Sequence, residues 1–293
     1  MRVIDVAAGL LRECAGAALH AAEQTTVHIE AEIAGRIPEL LETLRDEGPY
    51  AYTLLSEVHP DGSVKLPILT TREEIRAAYT MIRGASDLLR VEPIVEIRGP
   101  WYTFHEAIST GRRKGSDTAN ENSTLALFPV STDKGITGEL VWVYRPCAEL
   151  GTGPKAKDEI EDQRQLRREG MALHDRYVQA LRDADVDAIL DVLNDGVQSA
   201  VRDYVDDTGA LVSLDGREAH RSYYRSLFDK YDIRSVDLLN RVAQDWYVFA
   251  ELRYTATLRD GDADSVAFHT AEFHVPASDG RFIARIGHGT DPR

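Results

Sequence analysis

The sequence predicts an α+β protein made of two tandem domains of similar build. Three observations lead there. In each half, segments with apolar residues at helical spacing precede runs rich in strand formers. Residues 149–160 combine Gly, Pro and mixed charge, as linkers do. A pattern recurs at a period of about 145 residues: Arg72, Glu73 and Tyr79 in one half, Arg217, Glu218 and Tyr224 in the other.

The elements follow in chain order. Val3, Val6, Leu10, Leu11, Cys14 and Ala18 outline an N-terminal amphipathic helix over residues 3–23, and Ile29, Ile33, Ile37, Leu40, Leu41 and Leu44 a second, with Pro38 as a kink or restart. A strand over 50–55 leads to the turn residues Pro60-Asp61-Gly62. Thr71 and Glu74 form a capping signature for a helix over 72–83. Strands are predicted at 90–97, 101–109, 123–130 and 139–144. After the linker come helices at 159–182 and 186–193, a strand at 197–205, a helix at 217–230, and strands near 234–240, 246–259, 264–275 and 281–288. The expected division is an N-terminal helix (1–24), a divergent first domain (25–148), the linker (149–160) and a second domain (161–293). The segment Gly287-His288-Gly289-Thr290 reads as a loose terminus.

Composition narrows the function. The 293 residues carry 49 acidic and 34 basic side chains, a net charge of −15, which disfavours nucleic acid and anionic membrane surfaces as partners. Two distant cysteines, Cys14 and Cys147, with no CxxC or Cys/His cluster suit a reducing cytoplasm and no structural zinc. The N-terminus lacks a signal-peptide pattern and no 18-residue apolar run occurs, so a soluble cytoplasmic protein is expected. There is no GxGxxG after a strand, GxxxxGK[ST], HExxH or GxSxG, and no cofactor is implied.

The segment Arg176–Ile189, followed by Gly216-Arg217-Glu218-Ala219-His220-Arg221-Ser222-Tyr223-Tyr224, resembles the opening of the ketosteroid isomerase and SnoaL-like polyketide cyclase families of the nuclear transport factor 2-like superfamily. The resemblance covers nearly all of 165–290 and, more loosely, 25–146. It implies two tandem cone-shaped domains, each with helices packed on a curved antiparallel sheet around an apolar pocket, and an intramolecular pseudo-dimer that can associate further. It also places Tyr177 at the family's oxyanion-binding tyrosine, on an inner helix face with His174 and Leu181. The family's catalytic aspartate falls on Val201, and a shift of two residues brings Asp203 there. The second oxyanion donor's position holds Ala271, with His269 two residues earlier on the same strand face. In the first half His59 stands at the base position.

The catalytic candidates are therefore Tyr177, Asp203, His269 and His59. The ligand-binding candidates are His174, Tyr204, Trp246, Val248, Tyr254, Phe273, Trp101 and His105. Trp246, Val248, Ala250, Leu252 and Tyr254 alternate toward the interior opposite Glu251 and Arg253. Trp101, Thr103 and His105 share one strand face, Tyr102, Phe104 and Glu106 the other, and either face could line a pocket. The expected function is a cofactor-independent isomerase, cyclase or dehydratase acting on a small hydrophobic carbonyl or polyketide-like compound. The alternative is a non-catalytic small-molecule-binding or scaffold protein.

Overall fold

The computed structural model describes residues 3–54, 57–58, 64–131, 135–143, 160–259 and 265–293. The chain divides into two compact units: Met1–Leu54 with Leu69–Val143, and Leu55–Ile68 with Tyr144–Arg293. Each has its own main sheet, and the class is α+β.

In the first unit, α1 runs without a break over Val3–Ile33, past the end expected at residue 23. No Gly or Pro interrupts residues 17–33, and the Thr25 and Thr26 hydroxyls donate back to the carbonyls of Ala21 and Ala22, so these two β-branched residues are absorbed within the helix. Gly35, at φ +67°, ends it: the Arg36 and Gly35 amides reach back to the carbonyls of Ala31 and Glu32. The helix α2 (Ile37–Glu42) restarts with Pro38 in its first turn, where no amide hydrogen is needed. The strand β1 (Ala51–Thr53) follows, then β2 (Glu57–Val58) and β3 (Val64–Lys65), which pair as a hairpin. The helix α3 (Arg72–Ala85) begins with the expected capping box, Thr71 and Glu74 each bonding the other's backbone. Then come β4 (Ser86–Arg98), β5 (Tyr102–Arg113), β6 (Ala119–Ser131), β7 (Gly135–Ile136) and β8 (Gly138–Val143). The sheet order is β1-β8-β6-β5-β4, with β7 paired to β6. Pro93 is accommodated because β4 is an edge strand, and a register shift lies beside it.

The second unit repeats the plan. Helices α4 (Ile160–Arg182) and α5 (Val186–Asp191) precede β9 (Leu193–Arg202), β10 (Leu211–Asp215), α6 (Gly216–Lys230), β11 (Tyr231–Ala243), β12 (Val248–Leu258), β13 (Ser265–Pro276) and β14 (Phe282–Gly289). The order is β10-β9-β14-β13-β12-β11, and the β2–β3 hairpin belongs to this unit. The sheets are not wholly antiparallel: β1 pairs with β8, and β9 with β14, in parallel. In each unit the first long-range strand lies beside the last and runs the same way.

The register fixes which residues share a face. Val248, Ala250, Leu252 and Tyr254 lie opposite His274, Glu272, Thr270 and Phe268, and Arg285 pairs with His274 on one side and Ser199 on the other. That face carries the core, where Leu252, Tyr254 and Phe268 pack with Tyr177, Val178, Leu181, Tyr224 and Leu227 of the helices. The opposite face of the same strands buries Phe249, Ala271, Phe273, Val275, Ala284 and Ile286. The C-terminal segment is not loose. His288 is buried within β14, Ala267 and Arg293 exchange both backbone hydrogen bonds, and Thr290 bonds the backbone of His269.

Candidate functional site

The helix-facing side of the second sheet holds a buried polar chain. Helical spacing on α4 puts His174, Tyr177 and Leu181 on its inner face, all of them 1% exposed or less. The Tyr177 hydroxyl lies 2.9 Å from that of Tyr224 on α6. Arg285 Nη1 donates to Tyr224 Oη at 2.7 Å, while Arg285 Nε and Nη2 hold the two oxygens of Glu272, each at 2.7 Å. This is a bidentate, charge-assisted pair inside the core. Gly287 makes it possible, since a Cβ there would stand 2.4 Å from Glu272 Cγ.

Electrostatics keep each group in a definite state. Burial pushes the Tyr177 and Tyr224 hydroxyls above their ordinary value, against the pull of Arg285, so both stay protonated. Burial works against the Arg285 charge, and Glu272 and the two phenols more than restore it. A guanidinium can only donate. Tyr224 Oη therefore accepts from Arg285, and in its 2.9 Å bond to Tyr177 either hydroxyl can be the donor. Two phenols that bond to each other can use only one of their two protons in that bond, so the pair keeps one hydroxyl proton unused.

Two further histidines flank the chain. The His274 ring lies 5.0 Å from Tyr177 and 5.2 Å from His174, centroid to centroid, and neither histidine hydrogen-bonds another side chain. Burial, then the neighbouring His274, pushes His174 down to about 3; burial, then Arg285, holds His274 well below its usual value. Both are neutral at pH 7, each ring with one N–H and one acceptor nitrogen. Next to Arg285 in the sheet, Ser199 Oγ lies 2.6 Å from His220 Nε2, and His220 Nδ1 donates to the Gly216 carbonyl at 2.7 Å. His220 is pushed down to about 4, mainly by burial.

Several expected residues lie elsewhere. Asp203 is not in a strand: β9 ends at Arg202, and Asp203 Oδ1 accepts from the amides of Val205 and Asp206, closing a turn. His269 and Phe273 alternate to the opposite face of β13 from Tyr177, and His269 Nδ1 lies 3.3 Å from Glu251 there. The inward positions are one residue over, at Phe268, Thr270, Glu272 and His274. Tyr204 stacks on Phe268 in the core and donates to the carbonyls of His269 and Thr290. Val248 and Tyr254 do face the helices, while Trp246 is buried in the bend before β12. In the first unit, His105 is buried on the face that carries Phe128, 5.4 Å from its ring, and is pushed down to about 4 mainly by burial. Trp101 precedes β5 and its carbonyl accepts from Val130. His59 lies outside the described residues.

Sequence reasoning missed Glu272, Arg285 and His274 as site residues. The available signal was two charged residues and a histidine inside otherwise apolar strand runs, since such groups are seldom buried unless paired. Among the described residues no group of three or more metal-ligating side chains occurs, and no helix is long and apolar enough to cross a membrane.

Residues 174–285 match the SnoaL-like domain family. No curated protein sequence matches the chain. Among solved structures, a ketosteroid isomerase-like protein from Erwinia carotovora atroseptica is similar at 15% identity and a TM-score of 0.35, covering 43% of this chain and 97% of that one. An epoxide hydrolase of LEH-like type from M. tuberculosis is similar at 14% identity and a TM-score of 0.35, covering 42% and 84%.

Proposed function

We propose that the second unit is a cofactor-independent acid/base site for a small, ring-bearing carbonyl or polyketide-like compound, performing isomerase, cyclase or dehydratase chemistry. The observation that carries this reading is the buried Glu272–Arg285–Tyr224–Tyr177 chain, whose paired phenols keep one hydroxyl proton unused. Tyr177 donates to the substrate oxygen and holds the negative charge that develops there, with Arg285 polarising it through Tyr224. The chain is fixed before substrate arrives, so little reorganisation is needed. His274, neutral and close to Tyr177, accepts the proton taken from the neighbouring carbon, a role for which Asp203 and His269 are badly placed. The apolar remainder of that face, Leu252, Tyr254 and Phe268, suits a flat hydrophobic ring.

A second reading, a non-catalytic binder with Tyr177 as its polar anchor, is favoured by one observation: burial, then the Arg285 charge, holds His274 well below its usual value and makes it a feeble base. NMR detection of deuterium exchange at the carbon next to the carbonyl of cyclic enones, with wild type and Tyr177→Phe, separates the two. The catalytic reading expects exchange in wild type and a loss of about 10²–10³-fold in the variant, the usual cost of an oxyanion donor. Binding of the enones without exchange selects the binder. Neither binding nor exchange overturns both.

A further inference from the structure

The first unit carries buried chemistry of its own at positions matching those just described. Tyr79 of α3 occupies the place of Tyr224 in the repeated Arg-Glu…Tyr pattern, and it too bonds a charged residue on the last strand of its sheet. That partner is a carboxylate, Glu139, where the second unit has the guanidinium of Arg285. At a spacing of 146 residues, His28 corresponds to His174, Glu139 to Arg285, and Glu32 to Val178. At two matching positions, then, the first unit adds a carboxyl group.

The Thr43 hydroxyl donates to the Leu40 carbonyl at 2.7 Å, so His28 Nδ1, 2.6 Å away, donates to Thr43 Oγ1. His28 Nε2 lies 3.2 Å from both Tyr79 Oη and Glu139 Oε2, and Tyr79 donates to that same carboxylate oxygen. Tyr79 therefore donates to Oε2, and His28 Nε2 stands beside the same oxygen. Among the described residues Oε1 accepts nothing, although the Glu139 residue is only 4% exposed. Tyr52 is the parallel-strand partner of Glu139 and shares its face; it is fully buried and its hydroxyl has no partner. Glu32 lies one helical turn beyond His28 on α1, on the same side. Burial, then the Glu139 charge, pushes its carboxyl up to about 8, with Arg83 acting the other way.

We propose that the first unit is a second binding site, opposite in character to the first, which takes a small protonated amine with its N–H groups on Glu139 Oε1 and Tyr52 Oη. Where the second unit presents a spare donor, this one presents spare acceptors and a second carboxyl. The proposal is independent of the role given to Tyr177.

The test uses the full chain and isothermal titration with benzylamine, benzyl alcohol and benzoate. The expected order is benzylamine tightest, the alcohol at least tenfold weaker, and benzoate undetectable. Glu139→Gln and Tyr52→Phe should each weaken benzylamine at least tenfold, while Tyr177→Phe leaves it unchanged. Tyr52→Phe removes one hydroxyl that bonds nothing, so it stays informative if Glu139→Gln fails to fold. Benzyl alcohol or benzoate binding as well as the amine, no amine binding, or equal binding by wild type and Tyr52→Phe would overturn the proposal. Loss of amine binding in Tyr177→Phe would place it at the other site and overturn it too.

Discussion

Buried histidines give this protein a defined acid response. His174, His220 and His105 are pushed to about 3, 4 and 4 from an ordinary 6.5, in each case chiefly by burial. The unfolded chain therefore binds protons more readily than the fold between those values. The stability these groups lend is fully present above about pH 6.5 and drains away as pH falls toward 4. The slope is at most about 1.4 kcal/mol per pH unit for each histidine. Urea melts at pH 7, 6, 5 and 4 should show a steady fall, shallower in His174→Phe, which keeps a ring but cannot charge. A flat profile in wild type would sink this account. The same residues show where the sequence was legible. Tyr177 and His174 were visible because the family resemblance of Arg176–Ile189 points to them, and they fall on the inward side of a helix whose other side faces solvent. On β13 both faces are buried, Ala271, Phe273 and Val275 on one and Phe268, Glu272 and His274 on the other. With no polar side to mark solvent, the choice between His269 and His274 could not be made from alternation.

Elements were read best where local chemistry is strong. The capping box at Thr71 and Glu74 is present as expected, and backbone and hydroxyl bonds to Glu74 hold its carboxyl below the usual range. Thr71→Ala should cost about 1 kcal/mol of stability, the usual value for such a cap. Because α3 carries Tyr79, the loss should appear as faster amide exchange on α3, with α6 unaffected; equal loosening of both helices would refute it. Boundaries that depend on side chains acting at a distance were less legible. The strand β9 stops at Arg202 because the Asp203 carboxylate captures two amides, and β10 was passed over because its five residues follow a run of turn formers. The unbroken α1 was hidden by Thr25 and Thr26, poor helix formers whose hydroxyls nonetheless find carbonyls one turn back.

At the scale of the whole chain, the α+β class with two units, each holding its own main sheet, was the most legible feature. What no periodicity could convey is the route between the halves. The chain leaves its first unit after Leu54, contributes β2 and β3 to the second, and returns at Leu69. The two units are consequently not separable cassettes: a gene fragment starting near residue 160 lacks residues 55–68 of the second unit. Residues 160–293 expressed alone should melt at a lower temperature than the same unit in the full chain, and a synthetic peptide of residues 55–68 added in trans should raise the melting point. No effect of the peptide would mean the hairpin is dispensable. If the effect is seen, the two units are tied in heredity, since no single cut in the gene can transplant the second without splitting the first.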